Sequence, residues 1–447
     1  MPPIISPLPD RPRIRCWRGP ERLTACPSTD ISRWVDGAAV QQGGWLGTDA
    51  VLAARDRMAD LVRHTPILTS RSLGEQCGGT ILVKAENLQR TGSFKLRGAL
   101  AKLGSSTEGA GVVAGSAGNH AQSVAYAARA RGIPCEVFMP AGASVAKVAA
   151  VRGFGGIVHL GGDSVDDCVA LARDRAAQTG ATFVHPFDDP HVISGQATVG
   201  LELLEDVADI GTVIVPVGGG GLISGIAGVI REARPGVRIV GVQVEACAPY
   251  RDAIAAGAPV TAAAKPTIAD GIAIKRPGEL TLPLVARWVD ELATVGEDDV
   301  AEAIVRLLER AKLVVEGAGA VGVAALLTGA VKPAASGATV VILSGGNVDA
   351  GLLASIAHRQ ETAAGRRLRF FTRIDDRPGG LARLLTGVAA AGGNLLTVSH
   401  VRDGVALHVR ETGVELTIET RGPEHADEIV GALTGEGYGV ERFPEGA

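Results

Sequence analysis

The sequence predicts an α/β protein built on parallel sheets covered by helices on both faces, followed by a smaller ferredoxin-like domain with its own sheet. Three observations support this fold class. Short apolar runs without alternation recur from residue 80 to residue 346, and alanine-rich stretches with helical periodicity lie between them. Near residue 365 the strand patterns change to the alternation of half-exposed strands. A chain of 447 residues is long enough for two or three domains.

The N-terminal segment, residues 1–45, is rich in proline and arginine without sustained periodicity, which is typical of a disordered or loosely attached extension. It lacks the apolar core of a secretory signal. From Thr48 the pattern becomes regular, and DAVLAARDRMADLVRHTPI predicts an amphipathic helix stopped by Pro66. We therefore expect an extension over 1–45, a main domain over 46–360 and a small domain over 366–447.

The main domain alternates strand and helix patterns. The predicted strands are TILVKAEN, GVVAGS, CEVFMP, GIVHLG, TFVHPF, TVIVPV, RIVGVQVE and ATVVILSGG. Helices such as HAQSVAYAARARG, SVDDCVALARDRAAQTG and LISGIAGVIREARPG lie between them. Strands that are apolar on both faces and separated by helices indicate parallel sheets.

One uncharged segment, IGTVIVPVGGGGLISGIAGVI from Ile210 to Ile230, is long enough to span a bilayer. A proline and four consecutive glycines at its middle would break a single helix. We predict a strand, a glycine loop and a helix here, and no membrane span.

The C-terminal segment has a different pattern. RRLRFFTRI and VELTIETR alternate as half-exposed strands, and GLARLLTGVAAAGG and HADEIVGALTGEGYG have helical periodicity. The order β-α-β-β-α-β over about 80 residues predicts a ferredoxin-like domain. The ETAAGRR stretch before it is the expected linker.

Charge and cysteine content narrow the classes of function. A formal net charge of −4 does not favour binding to nucleic acid or to an anionic membrane. The scattered cysteines, without CxxC or metal-ligand spacing, predict reduced thiols in a cytoplasmic protein. They are Cys16, Cys26, Cys77, Cys135, Cys168 and Cys247.

The glycine loop, which we define as Gly218, Gly219, Gly220 and Gly221, stands between a predicted strand and a predicted helix. Glycines let backbone N–H groups turn inward, and the helix N-terminus adds the positive end of its dipole, so the loop suits a phosphate. A tight strand-to-helix turn is the structural alternative. A dinucleotide site is another, although the G-x-G-x-x-G spacing is not clean. We favour a single phosphate.

Two further loops follow predicted strands. The first consists of Ser116, Ala117, Gly118, Asn119 and His120. Its amides suit a carboxylate, although ordinary N-capping explains the same residues. The second presents Ser344 at the C-terminal end of a strand, where open α/β sheets gather ligands.

Lys95, in TGSFKLRGAL, is the candidate catalytic residue. A lone lysine is usually a solvated surface charge. A lysine combined with a phosphate cradle, a carboxylate loop and a strand-end hydroxyl provides the parts needed to hold pyridoxal phosphate and an amino acid. The combination is far more specific than any one of these motifs.

These motifs carry a family resemblance. TGSFKLRGA, SAGNHAQSVA, GGGGLISG, ADGIAIKRPG, EGAGAVGVAAL and SGGNVD closely resemble threonine dehydratase (threonine ammonia-lyase), a fold-type-II pyridoxal-phosphate enzyme. That fold implies two open α/β subdomains with parallel sheets. The similarity runs from about Thr48 to about Ala357. The tail, with DRPGGLARLL and AGGNLLTVSH, resembles an ACT-type regulatory domain.

The resemblance implies roles toward the cofactor. Lys95 would bind it covalently, with Phe94 packed near its ring. The glycine loop would hold its phosphate, Asn119 would contact its ring hydroxyl, and Ser344 its ring nitrogen.

The resemblance also implies a reaction, the removal of water from L-threonine to give 2-oxobutanoate and ammonia for isoleucine biosynthesis, with L-serine as a further substrate. Backbone amides of residues 116–120 would receive the substrate carboxylate, and Glu316 would lie near the cofactor. A serine dehydratase, a racemase, a β-replacement enzyme and a non-catalytic amino-acid sensor remain alternatives. Ala117 stands where similar serine racemases carry a second base, so racemisation should be slight. The Lys-Asp-Arg and Thr-Ser-Gly-Asn patterns of cysteine synthases are absent.

For the C-terminal domain, the resemblance suggests isoleucine or valine as an allosteric effector and a homo-oligomer, a dimer or tetramer. A domain that serves only for oligomer packing is the alternative. We predict no metal site. Some relatives use a cation near the position of Glu245, but the following ACAPYRD matches that site poorly.

Overall fold

In this computed structural model the described residues are 44–105, 111–402 and 407–443, with two short segments at 15–16 and 24–25. The chain forms two compact units, which divide between Asn347 and Val348. The expected extension over 1–45 lies almost entirely outside the described residues.

The helices follow one another in this order: α1 (Thr48–Met58), α2 (Arg71–Cys77), α3 (Lys95–Ser105), α4 (Asn119–Ala130), α5 (Val145–Gly153), α6 (Val165–Thr179), α7 (Pro190–Asp206), α8 (Gly221–Ala233), α9 (Tyr250–Ala256), α10 (Thr281–Trp288), α11 (Glu297–Arg306), α12 (Gly317–Leu327), α13 (Ala350–Ala363), α14 (Gly380–Ala390) and α15 (Pro423–Gly435). The strands are β1 (Arg15–Cys16), β2 (Thr24–Ala25), β3 (Ile67–Thr69), β4 (Thr80–Ala85), β5 (Val112–Gly115), β6 (Cys135–Met139), β7 (Ile157–Leu160), β8 (Thr182–Phe183), β9 (Ile210–Pro216), β10 (Arg238–Val244), β11 (Glu291–Val295), β12 (Ala338–Leu343), β13 (Arg367–Asp375), β14 (Asn394–Val401), β15 (Glu411–Glu419) and β16 (Glu441–Arg442).

The first unit contains two open sheets, as the sequence predicts. A six-stranded sheet has the order β11-β10-β9-β12-β4-β3, and a four-stranded sheet has the order β7-β6-β5-β8. All neighbouring strands in both sheets are parallel except β3, which pairs antiparallel with β4. Every residue of β12 and nearly every residue of β9 and β10 is buried, which explains their unalternating apolar sequences.

The uncharged segment Ile210–Ile230 divides into β9, the glycine loop and α8, as predicted. Strand β9 ends at Pro216, and Gly220 takes φ +90° at the N-cap of α8. Among the described residues, no helix combines the length and the apolar character that crossing a bilayer requires.

The N-terminal part of the unit differs from expectation in two ways. Helix α1 ends at Met58 rather than at Pro66, because the chain turns after Ala59. Trp45, which the sequence assigned to the extension, is buried instead and packs edge to face on Trp288 with ring centroids 5.5 Å apart. The packed core therefore includes residues before Thr48.

The second unit has the predicted order β13-α14-β14-β15-α15-β16. Its antiparallel sheet has the strand order β14-β15-β13-β16. Its core includes Phe370, Leu384, Leu416 and Leu433. Helix α13 belongs to this unit and continues to Ala363, so it includes the first residues of the stretch expected to be a linker. This arrangement confirms the ferredoxin-like prediction.

Candidate active site

One large cavity in the first unit collects the candidate residues. It encloses about 1260 Å³ of empty space, including its open mouth. Every candidate site residue from the sequence lines it: Phe94, Lys95, Ser116, Ala117, Gly118, Asn119, His120, Gly218, Gly219, Gly220, Gly221, Glu316 and Ser344. Sheet topology explains this convergence, because the loops after parallel strands meet at one edge of a sheet.

Lys95 is the first residue of α3, and the segment before it is hydrogen-bonded to the segment that follows β12. The segment before it forms an antiparallel bridge between Ser93 and Gly345, and the N–H of Phe94 donates to the carbonyl oxygen of Ser344 at 3.1 Å. These contacts fix the backbone at the start of α3 against the end of β12. The backbone that carries the Lys95 side chain is therefore fixed by its hydrogen bonds to the end of β12.

The surroundings of the Lys95 amine favour its neutral form. Burial lowers its pKa to about 8, although the negative charge of Glu316 acts to raise it. Its Nζ atom donates to the carbonyl oxygen of Pro186 at 2.7 Å and lies 5.2 Å from the ring centroid of Phe94. A lysine with a lowered pKa holds a larger fraction of neutral amine near neutral pH, and neutral amine is the reactive form.

Two neighbouring histidines are neutral. Burial, together with the charge of Lys95, lowers the pKa of His120 to about 3, and its Nε2 donates to the carbonyl oxygen of Val184 at 2.8 Å. Burial and nearby cations also lower the pKa of His185 to about 3, and its Nδ1 accepts from the N–H of Asp188 at 2.7 Å. Both rings are thus fixed polar groups beside Lys95, and neither adds a positive charge.

The glycine loop forms a cradle that is packed too tightly against its neighbours to carry side chains. A Cβ on Gly219 would lie 2.3 Å from the ring of Phe187, and a Cβ on Gly220 would lie 2.0 Å from the hydroxyl of Tyr250. Real Cβ atoms do not approach other atoms so closely, so these positions require glycine. The cradle also contains the first turn of α8, whose N–H groups have no acceptor within the helix.

Polar contacts behind the cradle fix its shape. The carbonyl oxygen of Gly219 accepts from the hydroxyls of Thr281 at 2.7 Å and Tyr250 at 3.0 Å. Asp188 Oδ1 in turn accepts from the N–H of Leu280 at 2.9 Å. The Gly219 carbonyl oxygen is thus held by Thr281 and Tyr250. We expect the N–H groups of a loop held in this way to suit a phosphate.

The loop of residues 116–120 leads from β5 into α4. The N–H of Ser116 donates to the carbonyl oxygen of Phe138 at 3.0 Å, and the Ser116 hydroxyl accepts from the N–H of Gly118 at 3.2 Å. Asn119 opens α4, where free backbone N–H groups favour an anion. This geometry suits the carboxylate of a small substrate.

Glu316 lies at the N-cap of α12 and is only 7% exposed. Burial, with the charge of Asp270, raises its pKa to about 7, while a hydrogen bond from Asn119 Nδ2 at 2.7 Å acts to lower it. Ser344 lies just after β12, 3% exposed, at the C-terminal end of the strand. The resemblance implied that both residues lie near the cofactor, and both line the cavity.

Sequence reasoning missed several residues that line the cavity. Asn347, Pro186 and Gln196 are among them, and the Oε1 atom of Gln196 is buried without a hydrogen-bond partner in the described structure. Lys147 and Asp270 also line it, with their charged atoms 3.1 Å apart. Two of them carried a usable signal, because Asn347 lies in the SGGNVD motif and Asp270 in the ADGIAIKRPG motif.

A buried ionic cluster supports α3 from behind. Arg97 is 1% exposed and makes paired hydrogen bonds to Glu86 at 2.7 and 2.8 Å. It also donates to Glu202 at 2.6 Å, and Glu202 lies 2.5 Å from Nζ of Lys84. The two carboxylates raise the pKa of Arg97 despite its burial. Removing one partner would leave a buried charge uncompensated, so the cluster fixes the helix that begins with Lys95.

No set of three or more histidine, cysteine, aspartate or glutamate side chains in the described part of the chain is placed to hold a metal ion. Cys77, Cys135, Cys168 and Cys247 are free thiols.

The fold and the cavity define a class of enzyme. Two open parallel sheets surround a lysine of lowered pKa, a glycine cradle for a phosphate and a polar residue at a strand end. Residues 58–345 match the family described as pyridoxal-phosphate dependent enzyme. The chain therefore belongs to the fold-type-II pyridoxal-phosphate-dependent enzymes, and pyridoxal phosphate is its cofactor.

The names of its relatives within this family specify particular activities. The chain is 46% identical over 391 residues to the L-threonine ammonia-lyase of Geobacter sulfurreducens, covering 87% of this chain and 97% of that protein. The solved threonine deaminase of T.th. has a TM-score of 0.64 at 40% identity, covering 68% of this chain and 99% of that one. Maize serine racemase has a TM-score of 0.67 at 35% identity, covering 71% of this chain and 98% of that one.

The residues of this chain fit the cofactor. The four glycines of the loop line the cavity beside the first turn of α8, whose N–H groups have no acceptor within the helix and suit a phosphate. Lys95, the glycine loop, Asn119 and Ser344, to which the resemblance gives roles toward the cofactor, all line this one cavity.

Proposed function

We propose that this chain is a threonine ammonia-lyase, which converts L-threonine to 2-oxobutanoate and ammonia and also accepts L-serine. The observation that carries the proposal is the placement of Lys95, with its lowered pKa, in one cavity with the glycine cradle and the loop of residues 116–120. The names of the relatives support the choice of substrate.

Each group of residues has a separate role in the proposed reaction. When bound, pyridoxal phosphate supplies an electron sink for the charge that develops at the substrate α-carbon. The neutral amine of Lys95 accepts the α-proton, because its lowered pKa keeps part of it unprotonated. Within the loop of residues 116–120, the N–H groups of Ser116 and Gly118 donate within the protein. Those of Ala117, Asn119 and His120 hold the substrate carboxylate, which orients the α-carbon toward Lys95. Loss of the β-hydroxyl and hydrolysis then give the keto acid and ammonia.

The first test is keto-acid release. Purified holoenzyme is incubated with L-threonine or L-serine, and 2-oxobutanoate or pyruvate is measured. We expect 2-oxobutanoate from threonine and its loss in Lys95→Ala, whereas Lys332→Ala, at an exposed position, should behave as the parent. A holoenzyme that binds cofactor and releases no keto acid would refute the lyase proposal and favour the amino-acid sensor.

Serine racemisation is the second candidate, favoured by the likeness to maize serine racemase. Ala117 counts against it, because a methyl group cannot move a proton to the second face of the substrate. Chiral chromatography of the products from L-serine separates the two. We expect pyruvate with little D-serine, and Ala117→Ser should raise the share of D-serine.

We further propose that the second unit is an ACT-type domain that regulates the enzyme by binding isoleucine or valine. The β-α-β-β-α-β order and the antiparallel sheet support this proposal. The test is a threonine saturation curve with and without each amino acid. If neither effector moves the curve, the unit has no regulatory role toward them.

A further inference from the structure

We infer that Asn347 is a positioning residue that fixes the side-chain amide of Asn119 in the orientation required for its contact with the cofactor. The inference rests on the contact proposed for Asn119, and it does not depend on which amino acid the enzyme consumes. Asn347 was not among the candidate residues from the sequence, although it lines the same cavity.

A chain of hydrogen bonds joins Asn347, Asn119 and Glu316. Asn347 Nδ2 donates to Asn119 Oδ1 at 2.7 Å, and Asn119 Nδ2 donates to Glu316 Oε1 at 2.7 Å. Asn347 Nδ2 also donates to the carbonyl oxygen of Thr91 at 2.8 Å. The Asn347 side chain is thereby held by two acceptors.

The Thr91 contact determines which way the Asn347 amide points. Because a carbonyl oxygen can only accept, the Asn347 NH2 group must face Thr91 and the Asn119 side chain. Asn119 must then present Oδ1 to Asn347 and Nδ2 to Glu316. One N–H of Asn119 remains, and it is free to donate to an oxygen on the cofactor ring. A flipped Asn119 amide would place two NH2 groups together and turn an oxygen toward that ring oxygen.

Two glycines make room for this arrangement. A Cβ on Gly92, which has φ +74°, would lie 2.3 Å from Asn347 Oδ1. A Cβ on Gly345 would lie 2.2 Å from Glu316 Oε1 and 3.2 Å from Asn119 Nδ2. The carbonyl oxygens of both glycines also accept backbone hydrogen bonds. The N–H of Gly346 donates to Gly92 at 2.9 Å, and the N–H of Glu316 donates to Gly345 at 3.1 Å. A side chain at either glycine would therefore displace polar groups of this arrangement.

The experiment compares holoenzyme variants by cofactor affinity and by the visible absorption band of the bound cofactor. Asn347→Ala removes the donor, and Asn347→Asp keeps the shape but presents oxygens to Asn119 Oδ1. We expect cofactor affinity to fall several-fold to about tenfold for Ala, the scale of one hydrogen bond, and further for Asp, with a shifted band in both. Asn394→Ala, at an exposed asparagine of the second unit, is the matched control and should leave both readouts unchanged.

A double-mutant cycle separates positioning from a general loss of structure. If Asn347 acts through Asn119, then Asn347→Ala should change neither affinity nor band in an Asn119→Ala background. Equal effects in both backgrounds, or an unchanged affinity and band in the single variants, would overturn the inference. If Asn347→Ala does not fold, the isosteric Asn347→Asp decides by the same comparison. Keto-acid release is measured separately, so an inactive enzyme that shows the coupling would refute the proposed function and leave this inference standing.

Discussion

The pKa of Lys95 gives the sharpest test of how the cavity works. Burial lowers this pKa from the ordinary lysine value of 10.5 to about 8. At pH 7 this change raises the fraction of neutral amine by roughly 300-fold, since each pH unit is a factor of ten. We therefore expect Lys95 to react with amine-specific reagents at a pH where ordinary lysines are almost inert.

The assay uses protein from which the cofactor has been removed. A limiting amount of acetic anhydride is added at a series of pH values, and peptide mass spectrometry measures acetylation of Lys95 relative to exposed Lys332 in the same sample. Acetylation of Lys95 should increase through an inflection near pH 8. Borohydride trapping of the holoprotein should separately place the cofactor on Lys95 alone.

A single substitution tests the cause of the shift. The charge of Glu316 acts to raise the pKa of Lys95, so Glu316→Gln should move the inflection below pH 8. Glu415→Gln, in the sheet of the second unit, should leave it unchanged. An inflection near 10.5 in the parent protein, or an upward movement in Glu316→Gln, would refute the electrostatic reasoning.

Three further predictions concern the cradle, the ionic cluster and the second unit. Gly219→Ala should abolish tight cofactor binding, measured by equilibrium dialysis, whereas Gly236→Ala, where a Cβ meets nothing within 4 Å, should not. Glu202→Gln leaves Arg97 with one carboxylate fewer and should lower the free energy of unfolding by about 3 kcal/mol in urea titrations; a change within about 0.5 kcal/mol would contradict that role. Leu433→Ala should destabilise the second unit by about 2–5 kcal/mol, seen as a separate shift of its calorimetric transition, while keto-acid release without effector stays at the parent level.

Three loops in the wall of the cavity could be predicted from the sequence, because each follows a strand and carries its own local signal. Four consecutive glycines after β9, or a Ser-Gly-Gly turn after β12, can be recognised without any knowledge of distant residues. The contacts that arrange the side chains had no such signal. Asn119 and Asn347 are 228 residues apart, and only the folded chain brings their amides together.

The same distinction, between local signals and distant contacts, explains where the observed secondary structure differs from the predicted one. Strand β3 has three residues, too few for a periodic pattern, and it gains its stability by pairing with β4. Trp45 was assigned to the extension because the surrounding sequence is irregular, yet its ring packs against Gly228 and Trp288. Tertiary packing decides such cases, and local propensity carries little information about them.

The glycine cradle has a consequence for how this site can change. Its specificity resides in main-chain atoms and in the absence of side chains, so no single substitution within the loop can add a new contact to the ligand. Phe187 and Tyr250 occupy the space behind Gly219 and Gly220, and a larger residue in the loop requires a smaller one at these positions at the same time. Variation here must therefore proceed by coordinated replacement of loop and backing residues.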